Sequence, residues 1–165
     1  RGGSKGVPKK NIFLVNGKPL IAYSIDFAME FKNHIDCDII LSTDDKMIRD
    51  VALDYGLETD YIRPSYLAND DAGKVETIEH VLDYSETTNK KKYDYIIDLD
   101  VTSPLRTIKD LLNAFDILKK NKKAYNIFYH NLRSSIYFFK SVLNLLILEY
   151  GFFNVEFTSL PVNEK

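Results

Sequence analysis

Arg1-Gly2-Gly3-Ser4-Lys5-Gly6-Val7-Pro8-Lys9-Lys10-Asn11 sets three glycines among four cationic side chains, Arg1, Lys5, Lys9 and Lys10. Glycine lets a backbone turn tightly and present N–H groups to an anion, and the lysines and arginine add positive charge beside it. The chemistry that suits such a segment is the cradling of a triphosphate. Its spacing is neither the P-loop, which needs Gly-Lys-Ser/Thr after a four-residue gap, nor the dinucleotide-binding G-x-G-x-x-G.

Asp98-Leu99-Asp100-Val101-Thr102-Ser103-Pro104-Leu105-Arg106 is the second block with chemical content. Side chains alternate along a strand, so Asp98 and Asp100 share a direction and can present oxygen ligands to Mg²⁺, a cation that commonly bridges carboxylate and nucleotide phosphate. Solvated acids at a strand end look the same in sequence, and nearness to a phosphate loop is what favours the metal. Arg63 offers fixed donors for phosphate or base oxygens. Asp44 or Asp45, after Ser42-Thr43, suits a helix cap. His34, His80 and His130 have no metal-ligand spacing, and His80 reads as a packed helix residue rather than a base.

Alternating elements must position these groups. Lys18 to Ala28 has helical periodicity with Pro19 in its first turn, Cys37 to Thr43 is a β-branched strand, and Met47 to Tyr55 is an amphipathic helix ended by Gly56. A helix from Val75 to Tyr84, with Val75, Ile78, Val81 and Leu82 on one face, precedes an apolar strand from Tyr93 to Leu99. Thr107 to Lys119 returns to helix; Ser141 to Tyr150 has helical spacing, and Phe152 to Phe157 alternates weakly as a strand. Strand and helix in alternation predict an α/β fold with a mostly parallel sheet covered by helices as a three-layer sandwich, binding ligands beyond the carboxyl ends of its strands. The glycine-rich loop and the Asp98 to Arg106 block both lie at that edge.

With 45% hydrophobic and 28% charged residues in 165, one globular domain spanning residues 1–165 is expected and a disordered chain is excluded. Net charge is −2, so no global basic field recommends nucleic acid. Lys90 to Lys92 and Lys119 to Lys123 read as solvated lysines without a role. Cys37 is alone, which excludes an internal disulfide and suggests a buried residue in a reducing compartment. No stretch reaches the roughly 20 apolar residues of a membrane span, and no leader pattern stands at the start; the expected location is the cytoplasm, without membrane partners.

The opening segment resembles the A-R-x-G-S-K-G-[IL]-x-x-K-N signature of the acylneuraminate cytidylyltransferases, the CMP-sialic acid synthetases and their bacterial relatives for legionaminic, pseudaminic and other nonulosonic acids. Arg1, Gly3, Ser4, Lys5, Gly6, Lys10 and Asn11 fall on signature positions. Leu99, Thr102, Ser103, Pro104, Leu105 and Arg106 match that family's L-Q-P-T-S-P-L-R, with Asp100 for its glutamine and Val101 for its proline. Arg63-Pro64-Ser65-Tyr66-Leu67-Ala68-Asn69-Asp70 is similar to R-[PS]-x-x-L-A-x-D, and Ser42-Thr43-Asp44 to an S-T-D turn. Arg133 to Phe138 is similar to the sugar-side R-[KR]-[SN]-P-Y-F but lacks its proline.

The resemblance implies a Rossmann-like nucleotide-diphospho-sugar transferase architecture, a strand preceding Arg1, and a homodimer. It implies cytidylyl transfer from CTP to a nonulosonic acid, with Mg²⁺ as cofactor. Arg1, Lys5 and Asp100 would be catalytic, and Arg1, Gly3, Ser4, Lys5, Lys10, Asn11, Arg63 and Lys74 would surround the nucleotide. Thr102, Ser103, Arg106, Arg133 and Tyr137 would face the sugar acid, and Asp98 and Asp100 would hold the metal. Lys74 stands where relatives often carry a serine near the base, and Asp100 adds a carboxylate near the sugar. Another base or a sugar 1-phosphate in a related pyrophosphorylase therefore stays open, as does a nucleotide-binding domain without turnover.

Overall fold

A computed structural model describes residues 6–120, 126–131 and 134–140. Its first element is a hairpin, in which Leu14–Val15 (β1) pairs antiparallel with Lys18–Pro19 (β2). Asn16 and Gly17, at φ 51° and 78°, both take the left-handed conformation of the tight turn that Asn-Gly favours. Lys18 and Pro19 thus close a hairpin instead of starting a helix. Helix α1 covers Leu20–Lys32 with Pro19 at its N-cap, and the Leu20 N–H donates to Phe13 O at 2.9 Å.

Helix α1 is apolar over most of its surface because it serves two cores. Phe27 and Phe31 pack with Leu111, Ala114, Phe115 and Leu118, while Ile21 and Ile25 pack with Ile48, Ala52 and Leu57. The second group comes largely from helix α2, Lys46–Asp54. Asp45 caps α2 by accepting from the Met47 N–H at 2.8 Å. At its other end Gly56, φ 82°, allows the Leu57 N–H to reach Ala52 O and the Gly56 N–H to reach Leu53 O, both 2.9 Å, so the last carbonyls are satisfied.

Helix α3, Lys74–Asn89, runs longer than its periodicity predicts, and Val75 is exposed while Thr77 and Ser85 are buried. The expected apolar face is therefore shifted. Lys91 pairs with Asp38 at 2.8 Å and Lys92 with Glu86, and both lysines stay exposed to solvent on the connection after α3. Strand β3 follows at Tyr95–Leu99, and helix α4 at Ile108–Lys120 buries Leu111, Ala114, Phe115 and Leu118 against α1 and against Tyr95, Ile97 and Leu99. Thr107 Oγ1 starts α4 by accepting from the Asp110 N–H at 3.2 Å.

Strands β4 (Asn126–Asn131) and β5 (Ser134–Lys140) complete a three-stranded sheet of order β3-β5-β4. Both ladders are antiparallel. The described ladders therefore do not show the mostly parallel pairing expected: β4 and β5 are too close in sequence for a crossover. Cys37 to Thr43 joins no ladder among the described residues, yet Ile39 and Leu41 pack on the α1–α2 core and Cys37 on the α1–α4 core. Burial raises the Cys37 thiol pKa, against a lowering by Lys32, which keeps the thiol protonated. The predicted segments 141–150 and 152–157 lie outside the described residues. No helix among the described residues is long and apolar enough to cross a membrane.

Leu111, fully buried between α1 and β3, tests this packing. Leu111→Ala should cost about 2–5 kcal/mol in urea denaturation, and a loss below about 1 kcal/mol would contradict the α1–α4 contact.

Candidate active site

The carboxyl end of β3 carries the acidic pair. Asp98 is its penultimate residue, and Lys74, the first residue of α3, brings Nζ to 2.7 Å from Asp98 Oδ2. That oxygen is buried, and the Lys74 ammonium at 2.7 Å is the partner that offsets its desolvation.

Asp100 lies one residue beyond the strand and folds the chain back on itself. Its Oδ1 accepts from the Thr102 N–H and the Thr102 hydroxyl, each at 2.8 Å, and its carbonyl accepts from the Ser103 N–H at 3.2 Å. Burial pushes the Asp100 carboxyl pKa up. The two Thr102 donors and the charges of Lys74 and Arg106 outweigh that, and the net value lies below the ordinary aspartate range.

Arg106 is buried beneath this turn. Nη2 donates to the Asp100 carbonyl, Nη1 reaches Ser24 Oγ on α1 at 3.4 Å, and the guanidinium lies 5.6 Å from the centre of the Phe27 ring. Burial lowers its pKa, while Asp100 and Asp98 raise it. Its donors are directed at the turn and at α1. Thr102 is exposed and Ser103 half-buried at the surface of the same turn.

Arg1, Gly3, Ser4 and Lys5 lie outside the described residues, as does Arg133. From Gly6 onward the loop winds into a short 3₁₀ turn at Lys10–Ile12, with Lys9 at φ 53°. Lys10 and Asn11 are half-buried there. Ile12, directly after them, and Val101, directly after Asp100, pack on the same α1–α2 core. The end of the glycine-rich segment and the acidic strand end are thus both anchored on the α1–α2 core. Tyr137 stands opposite Asp98 in the β3–β5 register.

Arg63 is clamped to the turn before α2, where Nε donates to Ser42 Oγ at 3.0 Å and Nη2 to Ser42 O at 2.7 Å. Its backbone N–H donates to Thr43 O at 3.1 Å. Tyr61, almost fully buried, hydrogen-bonds His80 Nδ1 at 3.0 Å and packs edge-on to Tyr84. His80 is therefore a packed residue, as its sequence context predicts. Ser24 and Ser42, the hydroxyl partners of the two arginines, escape sequence reasoning because their contacts span 82 and 21 residues.

Two carboxylates at the strand end offer the hard oxygen donors that suit a divalent cation, and Lys74 covers the buried oxygen of Asp98. No cluster of three or more metal-ligating side chains stands among the described residues.

The depressed Asp100 pKa has a stability consequence of definite sign. The unfolded value is about 3.9, and a folded value below it means that Asp100 stabilises the native state above that pH and ceases to as pH falls through the lower folded value. Asp100→Asn, which keeps the acceptor for Thr102, should be less stable than the parent at neutral pH. The deficit should shrink as pH falls below the unfolded value of about 3.9; a urea-denaturation deficit constant with pH would refute the charge-based account.

Residues 1–150 match the sequence model of a family described as cytidylyltransferase. Over 122 residues the chain is 41% identical to post-translational flagellin modification protein B of Campylobacter coli, covering 74% of this chain and 51% of that protein. It is 33% identical over 151 residues to a pseudaminic acid cytidylyltransferase of Campylobacter jejuni, covering 84% of this chain and 64% of the relative. A CMP-N,N'-diacetyllegionaminic acid synthase of the same species is 41% identical over 104 residues, 63% of this chain and 43% of that one. The chain thus spans roughly half of these curated relatives. A solved structure of CMP:2-keto-3-deoxy-manno-octonic acid synthetase with CTP superposes with a TM-score of 0.61 at 15% identity, over 84% of this chain and 70% of that one, which establishes a shared α/β nucleotidyltransferase fold. A family match that runs from the glycine-rich loop through the acidic strand end and beyond makes this chain a member of the cytidylyltransferase family.

Proposed function

We propose that the complete protein transfers a cytidylyl group from CTP to the anomeric hydroxyl of a nonulosonic acid and releases pyrophosphate. The observation that carries this reading is the match over residues 1–150, which includes both the cationic glycine-rich segment and the Asp98 to Arg106 turn. Relatives named for pseudaminic and legionaminic acid activation support the sugar class. In this reading the described elements belong to a single Rossmann-like domain, a three-layer sandwich whose remaining strands make its sheet mostly parallel. The setting is a cytoplasmic homodimer.

The reaction joins the anomeric oxygen to the α-phosphorus while the bond from that phosphorus to the β-phosphate bridging oxygen breaks; the hydroxyl proton is lost to water. Catalysis is then mainly alignment and charge neutralisation. Arg1, Lys5 and the loop N–H groups hold the β- and γ-phosphates and stabilise the departing pyrophosphate. Gly3, Ser4, Lys10, Asn11, Arg63 and Lys74 bind the nucleotide. Asp100 and Asp98 hold Mg²⁺, which when bound draws charge from the phosphates. Thr102 and Ser103 present hydroxyls to the sugar acid with Arg133 and Tyr137, and Arg106, buried below them, fixes the turn that carries them.

Full-length protein incubated with CTP, Mg²⁺ and pseudaminic, legionaminic or N-acetylneuraminic acid should yield a CMP-sugar and pyrophosphate, detected by mass. Lys5→Ala and Asp100→Ala should each lower turnover by about 10²-fold or more with the circular dichroism spectrum unchanged. CTP binding without pyrophosphate release would instead identify a nucleotide-binding domain, and release with another nucleotide alone would identify a different pyrophosphorylase.

A further inference from the structure

We propose that Lys18, held between the rings of Tyr23 and Tyr55 and paired with Asp26, is a positioning residue: it fixes the β1–β2 hairpin on α1 and through it sets Lys10 and Asn11 for the nucleotide. This role rests on the reading that those two residues bind CTP, and it adds the device that holds them in place.

The hairpin has little burial to hold it. No residue from Gly6 to Pro19 is buried, Phe13, Leu14 and Val15 expose apolar side chains, and Ile12 is the residue of this stretch that packs on a core. A two-stranded hairpin is marginal in water by itself, so directional contacts have to fix this one. They converge on Lys18. Its ammonium pairs with the Asp26 carboxylate on α1, and it lies 5.0 Å from the centre of the Tyr23 ring and 5.7 Å from that of Tyr55, the residue that follows α2. The Tyr23 hydroxyl donates to Val15 O at 2.7 Å, so one side chain of α1 touches both strands of the hairpin.

From the hairpin to the loop the connection is backbone. The Leu20 N–H donates to Phe13 O at 2.9 Å, the Phe13 N–H to Lys10 O at 3.1 Å, and the Lys10 N–H to Val7 O at 3.2 Å, so successive hydrogen bonds run from the start of α1 back into the glycine-rich segment. Lys9 lies between them at φ 53°, a conformation that a lysine keeps only where its surroundings hold it. Neither core contains Lys18, so the hairpin can loosen while the rest of the fold persists. A loosened hairpin lets Lys10 and Asn11 drift and leaves the Asp98 to Arg106 turn where it is. The loss therefore falls on KM for CTP rather than on kcat.

Steady-state kinetics of the full-length protein with CTP, Mg²⁺ and whichever of the three sugar acids the parent converts test this, together with amide hydrogen exchange. Lys18→Met, which keeps an apolar stem between the rings, should raise KM for CTP about fivefold with kcat within about twofold of the parent. It should also quicken exchange at the Phe13 and Leu20 amides while the Leu111 amide stays protected. Lys18→Arg keeps a cation that can lie over the rings and should restore the parent values. Lys46→Met, which removes the surface pair with Asp50 on α2, should change neither KM nor the exchange at Phe13 and Leu20. With CMP-sugar formed by the parent, an unchanged KM or unchanged exchange in Lys18→Met, no recovery in Lys18→Arg, or an equal rise in Lys46→Met overturns the positioning role and leaves the reaction standing. If the parent forms no CMP-sugar, CTP affinity by calorimetry takes the place of KM, and a parent that binds no CTP removes both the nucleotide reading and the role given to Lys18.

Discussion

A guanidinium removed from water has to find partners in what surrounds it, and Arg106 finds them for Nη1 and Nη2 in α1 and the turn it supports, while its buried Nε has none among the described residues. Its hydrogen bond to the Asp100 carbonyl, its contact with Ser24 and its place over Phe27 tie the end of β3 to α1. Lysine could not do the same, because a single ammonium lacks the planar fork that reaches two partners in different directions. The consequence for chemistry is indirect but large. Asp100 is held from both sides, by Thr102 on its carboxylate and by Arg106 on its carbonyl, so its side chain needs little reorganisation when a charged ligand arrives.

The same helix carries the rest of the framework. Helix α1 presents Phe27 and Phe31 to α4 and β3, and Ile21 and Ile25 to α2, so both cores depend on one apolar cylinder. Ile12 and Val101 meet the second core from the two functional segments, one just after Asn11 and the other just after Asp100. Hydrophobic burial is non-directional, but attaching both segments to one packed surface restricts how far they can drift apart. Packing here does the positioning that active-site chemistry requires.

What could be read from the residues alone was local. Asp45 and Gly56 bracket α2 because caps act within one turn, and the apolar spacing of Leu111, Phe115 and Leu118 defines α4 without reference to anything else. The Asn16-Gly17 hairpin was equally local and was still missed, because Lys18-Pro19 also suits the start of a helix and the apolar run behind it is strong. Val75 matched the α3 periodicity yet faces solvent, since periodicity names a stripe but not the neighbour that covers it. Sheet direction depends on β5 entering between β3 and β4, a long-range pairing that no local pattern encodes. The acidic pair and the glycine-rich segment were visible as motifs, whereas the clamps on Arg63 and Arg106 were not, because Ser42 and Ser24 are ordinary residues until the fold brings them close.

A chain of net charge −2 has no general field with which to attract a triphosphate, so recognition has to come from charges placed within a Debye length of the site, about 8 Å at physiological salt. At the end of β3 the two carboxylates, Asp98 and Asp100, face two cations, Lys74 and Arg106, and the four make the strand end close to neutral. Neutrality has a physical advantage in a partly buried place. For Asp100, burial alone would drive the carboxyl pKa up. Thr102 and the charges of Lys74 and Arg106 reverse that push for Asp100, and of these two cations one is buried beneath the turn while the other reaches Asp98 on a half-exposed stem.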